Sequence, residues 1–465
     1  MLDIKRILNN PEEVRNALLK RMDDVSFDEL IEWEKERKTK QTEIEDLNSI
    51  INKNSKQISC VMADKTLEME EKKKRVEELK KITTEAGEKQ TALRQVVKEL
   101  ETKIFDFLTS LPNIPDDDVV AGEKENNEVL HYYGEQPKFD FEPKTHIELC
   151  KNLGLIDYER GIKLSGEGSW IYTGLGAQLE WALINYFIDS HLKDGYQFML
   201  PPIMLNYNCG FVAGQFPKFK EEVYWIDHQG ADKSCKFILP TAETALVNLH
   251  NDEVFAADEL PKKYFAYTPC FRREAGGTRL EEKGMIRGHQ FNKVEMVQYT
   301  HPDKSDEAFA ELVGKAEKLL QGLGLHYRLS KLAAGDCSAG MARTYDIEIW
   351  IPSMGIYKEV SSASNGRDYQ TRRGNVRVVD VDGKKRYVHT LNASGLATSR
   401  VFPALIEQYQ QADGSVVIPE VLRKYMGNLE KIVPTKKDWR INLLNYKNFY
   451  NFMKIWYWHG HSISL

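Results

Sequence analysis

Two long stretches near the start of the chain carry apolar residues at alternating spacings of three and four. The first series is Leu30, Trp33, Arg37, Lys40, Ile44, Leu47, Ile51, Asn54, Ile58 and Val61, and the second is Val76, Leu79, Thr83, Ala86, Gln90, Leu93, Val97, Leu100, Ile104 and Phe107. This heptad spacing predicts two long helices that pair as an antiparallel coiled-coil hairpin over roughly residues 28–108. Polar residues occupy several seam positions, which weakens the seam and indicates an arm that can flex.

The pattern alone leaves the role of this hairpin open. A dimerisation coil or a spacer explains it as well as a binding arm does. Charged runs such as "EEKKKRVEELKK" are most often a solvated helix face. The segment "LPNIPDDD" at 111–118 contains two prolines, which end the second helix and form a linker.

From about residue 140 the pattern changes to short strands mixed with helices. The stretch "KLSGEGSWIYTGLGAQLEWALINYFIDSHL" is typical of a strand and turn followed by an amphipathic helix. "GYQFMLPPIML" is typical of a strand ended by prolines, and "SDEAFAELVGKAEKLLQGLG" predicts a further helix. Several strands follow one another directly, without the helix between strands that parallel sheets require. The pattern predicts an α+β fold with a mainly antiparallel sheet flanked by helices.

Composition adds limits to this picture. The chain has 465 residues, a net charge of −6 and six cysteines without a C-x-x-C pair. The length predicts two or three domains, and the cysteines argue against structural zinc or a disulfide framework and favour a reducing, cytoplasmic location. The N-terminus resembles no targeting peptide, and no apolar run reaches the roughly 18 residues of a membrane span.

Phosphate chemistry in this chain must depend on arginine side chains. There is no G-x-x-x-x-G-K-[ST], and "GLGAQL" stops short of G-x-G-x-x-G. Arginine grips phosphate or carboxylate with a planar fork and stays charged at any working pH. "FRREAG" supplies Arg272 and Arg273 beside Glu274, between two predicted strands.

The strand after "FRREAG" carries both charge signs on one face. Side chains in a strand repeat every second residue, so this face combines Arg287, His289, Phe291, Lys293 and Glu295. A strand face with charges of both signs is poorly suited to pack in the apolar core and well suited to bind a polar ligand. Each motif taken alone is more often a surface pair or a helix start than a functional site.

Two later segments complete the candidate set. "YKEVSSASN" places Glu359 shortly before Ser361 and Ser362, an oxygen cluster suited to a hard cation such as Mg²⁺. "HTLNASGLATSR" brings small residues up to a helix, with Arg400 six residues after Ser394.

Together and in this order, these motifs resemble those of the bacterial-type seryl-tRNA synthetases, a family of class II aminoacyl-tRNA synthetases. "GYQFMLPPIM" with "GQFPKF" resembles the first class motif, "FRREAG…GMIRGHQFNKVEM" the second and "LNASGLATSR" the third. "LPTAETALVNLH" and "EVSSASNGRDYQTRR" are similar to family-specific segments, and the resemblance spans residues 1 to about 432.

The resemblance implies roles for individual residues. Arg272, Arg287 and Arg400 would be catalytic. ATP would contact Arg272, Arg273, Glu274, Arg287, Phe291, Glu359, Val360, Ser361, Ser362 and Arg400, and Mg²⁺ would be held by Glu359 and Ser362. Serine would contact Thr241, Ala242, Glu243, Arg272, Glu295, Asn392 and Ser394.

The resemblance also implies an activity, partners and domains. The chain would activate L-serine with ATP and charge tRNA(Ser) and tRNA(Sec), as a homodimer that contacts no membrane. Residues 1–112 would be the tRNA-binding domain with its coiled-coil arm, 113–432 the catalytic domain, and 433–465 an atypical aromatic and basic tail. The alternative is a paralogue that charges a carrier protein or binds RNA without catalysis, although such paralogues lack the arm or the ATP residues.

Some segments depart from the family pattern. Ala393 replaces the usual glycine of "LNGSG", and "GLATSR" differs from "GLAVGR". The second-motif loop "GGTRLEEKG" carries Glu281 and Glu282, whereas the family, in which this loop contacts the acceptor end of tRNA, often has a basic stretch there. In the tail, His459 and His461 supply two metal ligands with no third nearby.

Overall fold

The computed structural model describes residues 1–226, 235–274 and 284–434. The acidic loop with Glu281 and Glu282 and nearly all of the tail, including His459 and His461, lie outside the described residues. The α-helices are α1 (Ile4–Asn9), α2 (Pro11–Leu18), α3 (Asp28–Ala63), α4 (Met69–Ser110), α5 (His146–Leu153), α6 (Tyr158–Ser165), α7 (Leu175–Lys193), α8 (Tyr207–Val212), α9 (Glu243–Leu246), α10 (Ser305–Leu323), α11 (Tyr369–Gly374), α12 (Thr398–Gln408) and α13 (Glu420–Arg423).

The strands are mostly short outside one large sheet. They are β1 (Glu128–Tyr133), β2 (Ile156–Asp157), β3 (Ile171–Tyr172), β4 (Gln197–Met199), β5 (Met204–Asn206), β6 (Tyr224–Trp225), β7 (Lys236–Ile238), β8 (Val254–Ala256), β9 (Lys262–Phe271), β10 (Gln290–Thr300), β11 (Tyr327–Lys331), β12 (Arg343–Ile351), β13 (Ile356–Arg367), β14 (Arg377–Val379), β15 (Lys385–Tyr387), β16 (His389–Ala397), β17 (Val416–Val417) and β18 (Lys431–Ile432). Short 3₁₀ turns lie at Lys124–Asn126, Lys220–Glu222, Ala257–Glu259, Pro302–Lys304 and Lys424–Met426.

The predicted hairpin is confirmed as an arm of two long helices, α3 and α4, that pack along each other. Polar seam residues pair across it, since Gln90 Nε2 donates to Asn48 Oδ1 at 2.5 Å. The heptad pattern missed Glu34, which is only 7% exposed because Arg37 Nε donates to its carboxylate at 2.7 Å.

The base of the arm belongs to an N-terminal core, to which Tyr369 of α11 also contributes. Leu2 comes from the segment before α1, Ile7, Val14 and Leu18 come from α1 and α2, and Leu30, Ile104 and Leu108 come from the arm. These buried side chains join α1, α2 and the arm's root into one packed unit.

The body is built on an eight-stranded sheet in the order β1-β11-β12-β13-β16-β10-β9-β4. Each neighbouring pair is antiparallel except β4 and β9, so the predicted α+β architecture is confirmed. Helices α7, α10 and α12 pack against the sheet and form its main apolar core. The other sheet face, around β10, β13 and β16, is left for polar side chains.

Candidate active site

A cavity of about 460 Å³ opens on the polar face of the sheet. Strands β10, β12, β13 and β16, the segment that follows β9 and the start of α12 supply its walls. The predicted site residues that line it are Thr241, Glu243, Arg272, Glu274, Arg287, Phe291, Glu295, Glu359, Val360, Ser362, Asn392, Ser394 and Arg400. The structure therefore brings residues from distant parts of the chain into one site.

Strand alternation explains much of this convergence. Phe291, Lys293 and Glu295 project from the same side of β10 into the cavity. The predicted face was too long, because β10 begins only at Gln290. Arg287 still lines the cavity from the preceding turn, whereas the His289 ring lies against the Gly168 backbone outside it.

Three of the predicted residues do not line the cavity. The Ala242 side chain is fully buried in an apolar cluster, and the Ser361 hydroxyl donates to the Ser394 carbonyl at 2.6 Å. Arg273 extends toward Glu221, with a nitrogen–oxygen distance of 3.8 Å. Cross-strand register gives the reason for Ser361, because it lies opposite Ile347 of the main apolar core, whereas Ser362 lies opposite Asp346, which lines the cavity.

Glu295 is the most enclosed acid of the cavity, with 1% of its surface exposed. Lys293 Nζ lies 2.6 Å from its carboxylate, and Asn392 Nδ2 and Ser394 Oγ donate to it at 3.1 and 3.3 Å. The pairing of β10 with β16 produces this arrangement, since Glu295 lies opposite Ser394. The result is a fixed polar floor of small volume. Lys293 was seen on the strand face but was not assigned to either substrate.

Glu243 forms a second buried acid close to this floor. Gln370 Nε2 donates to its carboxylate at 2.8 Å. Burial, together with the charge of Glu295, raises the pKa of Glu243 to about 7. A positively charged group bound beside Glu243 would favour its charged form.

Arg272 lies at the end of β9, with its guanidinium 5.3 Å from the centre of the Phe291 ring. The strand register places Phe291 opposite Cys270, two residues before Arg272, and so brings Phe291 close to Arg272 across the β9–β10 pair. Beyond the strand end, Arg287 and Glu274 form an ion pair. This wall of the cavity therefore presents the Phe291 ring, the Arg272 guanidinium and the ion pair of Arg287 with Glu274.

The opposite wall combines Glu359 with Arg400. Arg400 Nη1 donates to the Glu359 carbonyl at 2.7 Å and lies 3.3 Å from its carboxylate. Burial acts to raise the pKa of Glu359, but the guanidinium groups of Arg400 and Arg272 hold that pKa below its ordinary value. Glu359 is thus held as an anion.

The sequence analysis missed Asp346 and Glu348, which also line the cavity. Asp346 Oδ1 accepts a hydrogen bond from Ser362 Oγ at 2.6 Å, and burial followed by the charge of Glu359 raises the Asp346 pKa. Glu348 accepts from Ser330 Oγ and Arg328 Nε at 2.7 and 2.8 Å. The signal was present in "TYDIEIW", where two acids two residues apart share one face of a strand.

An antiparallel sheet that gathers arginines and acids around one cavity, beside a long helical arm, is the architecture of class II aminoacyl-tRNA synthetases. The tRNA synthetase class II core domain (G, H, P, S and T) matches residues 224–409, and the Seryl-tRNA synthetase N-terminal domain matches residues 1–115. The chain belongs to the seryl-tRNA synthetase family.

Individual relatives agree with this assignment. Serine–tRNA ligase 2 of Clostridium acetobutylicum is 60% identical over 428 residues, which cover 92% of this chain and 99% of the relative. The serine–tRNA ligase of Thermodesulfovibrio yellowstonii is 44% identical over 429 residues, with 92% and 99% covered. The crystal structure of seryl-tRNA synthetase from Pyrococcus horikoshii complexed with ATP has a TM-score of 0.85 and 34% identity, and covers 94% of this chain and 100% of that one.

Within the described ranges, no helix is both long and apolar enough to cross a membrane.

Proposed function

We propose that this cavity activates L-serine with ATP and then transfers the seryl group to the 3′ end of tRNA(Ser) and tRNA(Sec). The observation that carries the proposal is the position of Arg272 between two sets of acids. Arg272 lines the same cavity as Glu243 and Glu359, and its charge acts to lower the pKa of each of these two acids. A single cation so placed suits two anionic substrates that must meet.

The first step would join the serine carboxylate to the α-phosphorus of ATP. A carboxylate oxygen forms the new bond to phosphorus, and the bond to the bridging oxygen breaks, so that pyrophosphate leaves with the electron pair. No general base is required, because the carboxylate is already a nucleophile. Arg272 would hold the serine carboxylate and the α-phosphate together and neutralise the charge that develops.

ATP is proposed to bind between the wall that carries Phe291 and the opposite wall that carries Arg400. The Phe291 ring would stack on adenine from one side and the Arg400 guanidinium from the other. Glu274 would accept from the adenine amino group, and Arg287 would bind the γ-phosphate, each giving up part of its contact with the other. Ser361, Val360 and Arg273 would contribute at most through main-chain atoms. The Ser361 hydroxyl donates to the Ser394 carbonyl, the Val360 side chain belongs to the main apolar core although the residue borders the cavity, and Arg273 extends toward Glu221.

The residues near Glu359 fit Mg²⁺. Among the described residues no group of three or more His, Cys, Asp or Glu side chains is arranged to hold a metal ion by itself. Mg²⁺ does not need such a group, since it commonly binds one or two carboxylates together with substrate phosphates and water. Glu359 and Ser362 would hold it, with Asp346 orienting the Ser362 hydroxyl, and the ion would neutralise phosphate charge when bound.

Serine selection is assigned to the floor around Glu295, together with Thr241, Glu243, Asn392 and Ser394. Replacing Glu295 by alanine should raise the serine KM at least about tenfold and narrow the preference for serine over alanine and glycine, because polar groups that pair with the hydroxyl enforce that preference. Pyrophosphate exchange with each of the three amino acids measures this. A loss of ATP affinity with unchanged serine preference would contradict the assignment.

Serine binding should also depend on pH through Glu243. Its folded-state pKa is raised to about 7, so the carboxylate is charged above that pH and becomes neutral as the pH falls. The serine ammonium group then loses a partner, and the serine KM should rise as the pH falls from 8 to 6. Glu243→Gln should give a higher KM with a flatter pH profile. A profile of unchanged slope in this variant would assign the titration to another group.

The domain division is proposed as 1–112 for the tRNA-binding domain, 113–432 for the catalytic domain and 433–465 for the tail.

A homodimer is proposed because large apolar side chains are exposed on α7 and in the segment after β4, and α7 and β4 pack together. Trp181, Leu200 and Met204 are 52%, 73% and 57% exposed. The thiols of Cys60, Cys150, Cys209, Cys270 and Cys337 are free, which supports a cytoplasmic location.

The proposed function is tested by pyrophosphate exchange with each of the twenty amino acids, followed by charging of total tRNA. Exchange that depends on serine, with charging of tRNA(Ser), is the expected result. Exchange with another amino acid would refute serine as the substrate. Exchange without charging of any tRNA would refute tRNA as the acceptor of the activated amino acid.

A further inference from the structure

The segment 337–341, between β11 and β12, forms part of the cavity wall. Ser338, Ala339, Gly340 and Met341 line the cavity directly. The segment lies in a loop, so its carbonyl groups take part in no sheet ladder, and buried carbonyls need donors from elsewhere. The Ser338 carbonyl accepts from the Met341 backbone nitrogen within the segment at 2.9 Å, and donors from the N-terminal part of the chain reach all five carbonyls of 337–341.

Arg21, just after α2, supplies most of them. Its guanidinium donates to the carbonyls of Cys337 at 2.5 Å, Ser338 at 3.0 Å and Met341 at 2.9 Å. It also donates to the Asn113 carbonyl at 3.1 Å. Burial lowers the pKa of Arg21, and no carboxylate takes part in these four hydrogen bonds.

Asn113, in the linker after α4, supplies the remainder. Its backbone nitrogen donates to the Ala339 carbonyl at 2.7 Å, and its side-chain Nδ2 donates to the Gly340 carbonyl at 3.0 Å. Asn113 is only 4% exposed. Every carbonyl from Cys337 to Met341 therefore accepts from Arg21 or Asn113.

The segment is in turn packed against the proposed serine pocket. A Cβ added to Gly214 would lie 3.6 Å from the Gly340 Cα, so the two backbones approach closely. The neighbouring Ala213 carbonyl accepts from Gln370 Nε2 at 3.0 Å, and the same amide group donates to Glu243 at 2.8 Å. Arg21 and Glu243 are thus joined by a continuous series of contacts.

We propose that Arg21, with Asn113, is a positioning residue for serine activation: it holds the 337–341 wall and, through Gln370, the Glu243 carboxylate. The N-terminal domain then contributes to amino-acid binding as well as to tRNA binding. This inference rests on the proposed function of the cavity. It assigns the effect to the serine side, because the series of contacts ends at Glu243 and not at Phe291 or Arg400.

The test is pyrophosphate exchange with Arg21→Met in the full-length protein. We expect the serine KM to rise about tenfold, with the ATP KM changed less than about twofold, since small displacements of positioning groups weaken binding substantially. Arg21→Lys should give an intermediate value, because an ammonium group cannot reach all the carbonyls of the planar fork. Lys20→Met is the matched control, because Lys20 donates to the carbonyls of Asp116, Asp117 and Val119 and not to the 337–341 segment. The KM values of this variant should match those of the parent protein.

Other outcomes would overturn the inference. An unchanged serine KM in Arg21→Met, with or without a lower melting temperature, would reduce Arg21 to a structural contact. An equal rise in the serine and ATP KM values, or the same rise in Lys20→Met, would refute the assignment to the serine side. If Arg21→Met does not fold, Arg21→Lys and Asn113→Ala give the same comparison. A parent protein without serine-dependent exchange would refute the proposed function itself, which is a separate result.

Discussion

Replacing Arg272 by alanine is expected to reduce serine-dependent pyrophosphate exchange by about 10²-fold or more, with the fold intact. Arg272 lies in the cavity beside Phe291 and acts on acids at both sides. An arginine that only formed an exposed ion pair would contribute about 0–1 kcal/mol to stability and nothing to the reaction. Exchange kinetics and a melting curve on the same preparation distinguish the two roles.

A matched control is Arg160→Ala. Arg160 pairs with Asp157 on the exposed surface of α6, with 77% of its side chain accessible. Its exchange rate should equal that of the parent protein. If the exchange rate of Arg272→Ala stayed within a few-fold of that of the parent protein, the arginine of "FRREAG" would be interpreted as part of a surface ion pair.

Shortening the arm should separate the two halves of the reaction. The structure changes the cut that the heptad pattern suggested: removal of all of 28–108 would take Leu30, Ile104 and Leu108 out of the N-terminal core. Replacing residues 41–97 by a short turn avoids this, because Arg37 lies 4.0 Å from Glu101 and the two cut ends therefore face each other. The shortened protein should keep pyrophosphate exchange within about twofold, since no arm residue lines the cavity within the described part of the chain, and should lose most tRNA charging.

Salt dependence gives an independent readout of the same variant. Lysine and arginine contacts to phosphate release counterions, so tRNA binding by the full-length protein should weaken steeply with salt. The shortened protein should show a shallower slope. Undiminished charging would leave the arm as a spacer, and loss of exchange would show that the arm supports the catalytic body in a way the contacts do not indicate.

Much of the fold could be predicted because local periodicity is a property of the chain itself. The heptads predicted α3 and α4, and the succession of strand patterns predicted an antiparallel sheet, which the β9–β10 pair around "FRREAG" confirms. Strand alternation also predicted that Phe291, Lys293 and Glu295 share one face. Where β10 begins could not be predicted, since that depends on where its partner strand ends, and so His289 was wrongly included.

The sequence by itself determined the family, the kinds of residue available for catalysis and the two periodicities that build the arm and the sheet. Only the tertiary structure decided which of those side chains share a cavity. It placed the side chains of Ser361 and Ala242 away from the cavity and added Asp346, which accepts a hydrogen bond from Ser362. It also placed Arg21 so that it donates hydrogen bonds to the carbonyls of a loop more than three hundred positions away. The physical reason is that periodicity fixes which way a side chain points from its own element, whereas burial, pKa and hydrogen-bond partners depend on the elements that pack opposite it.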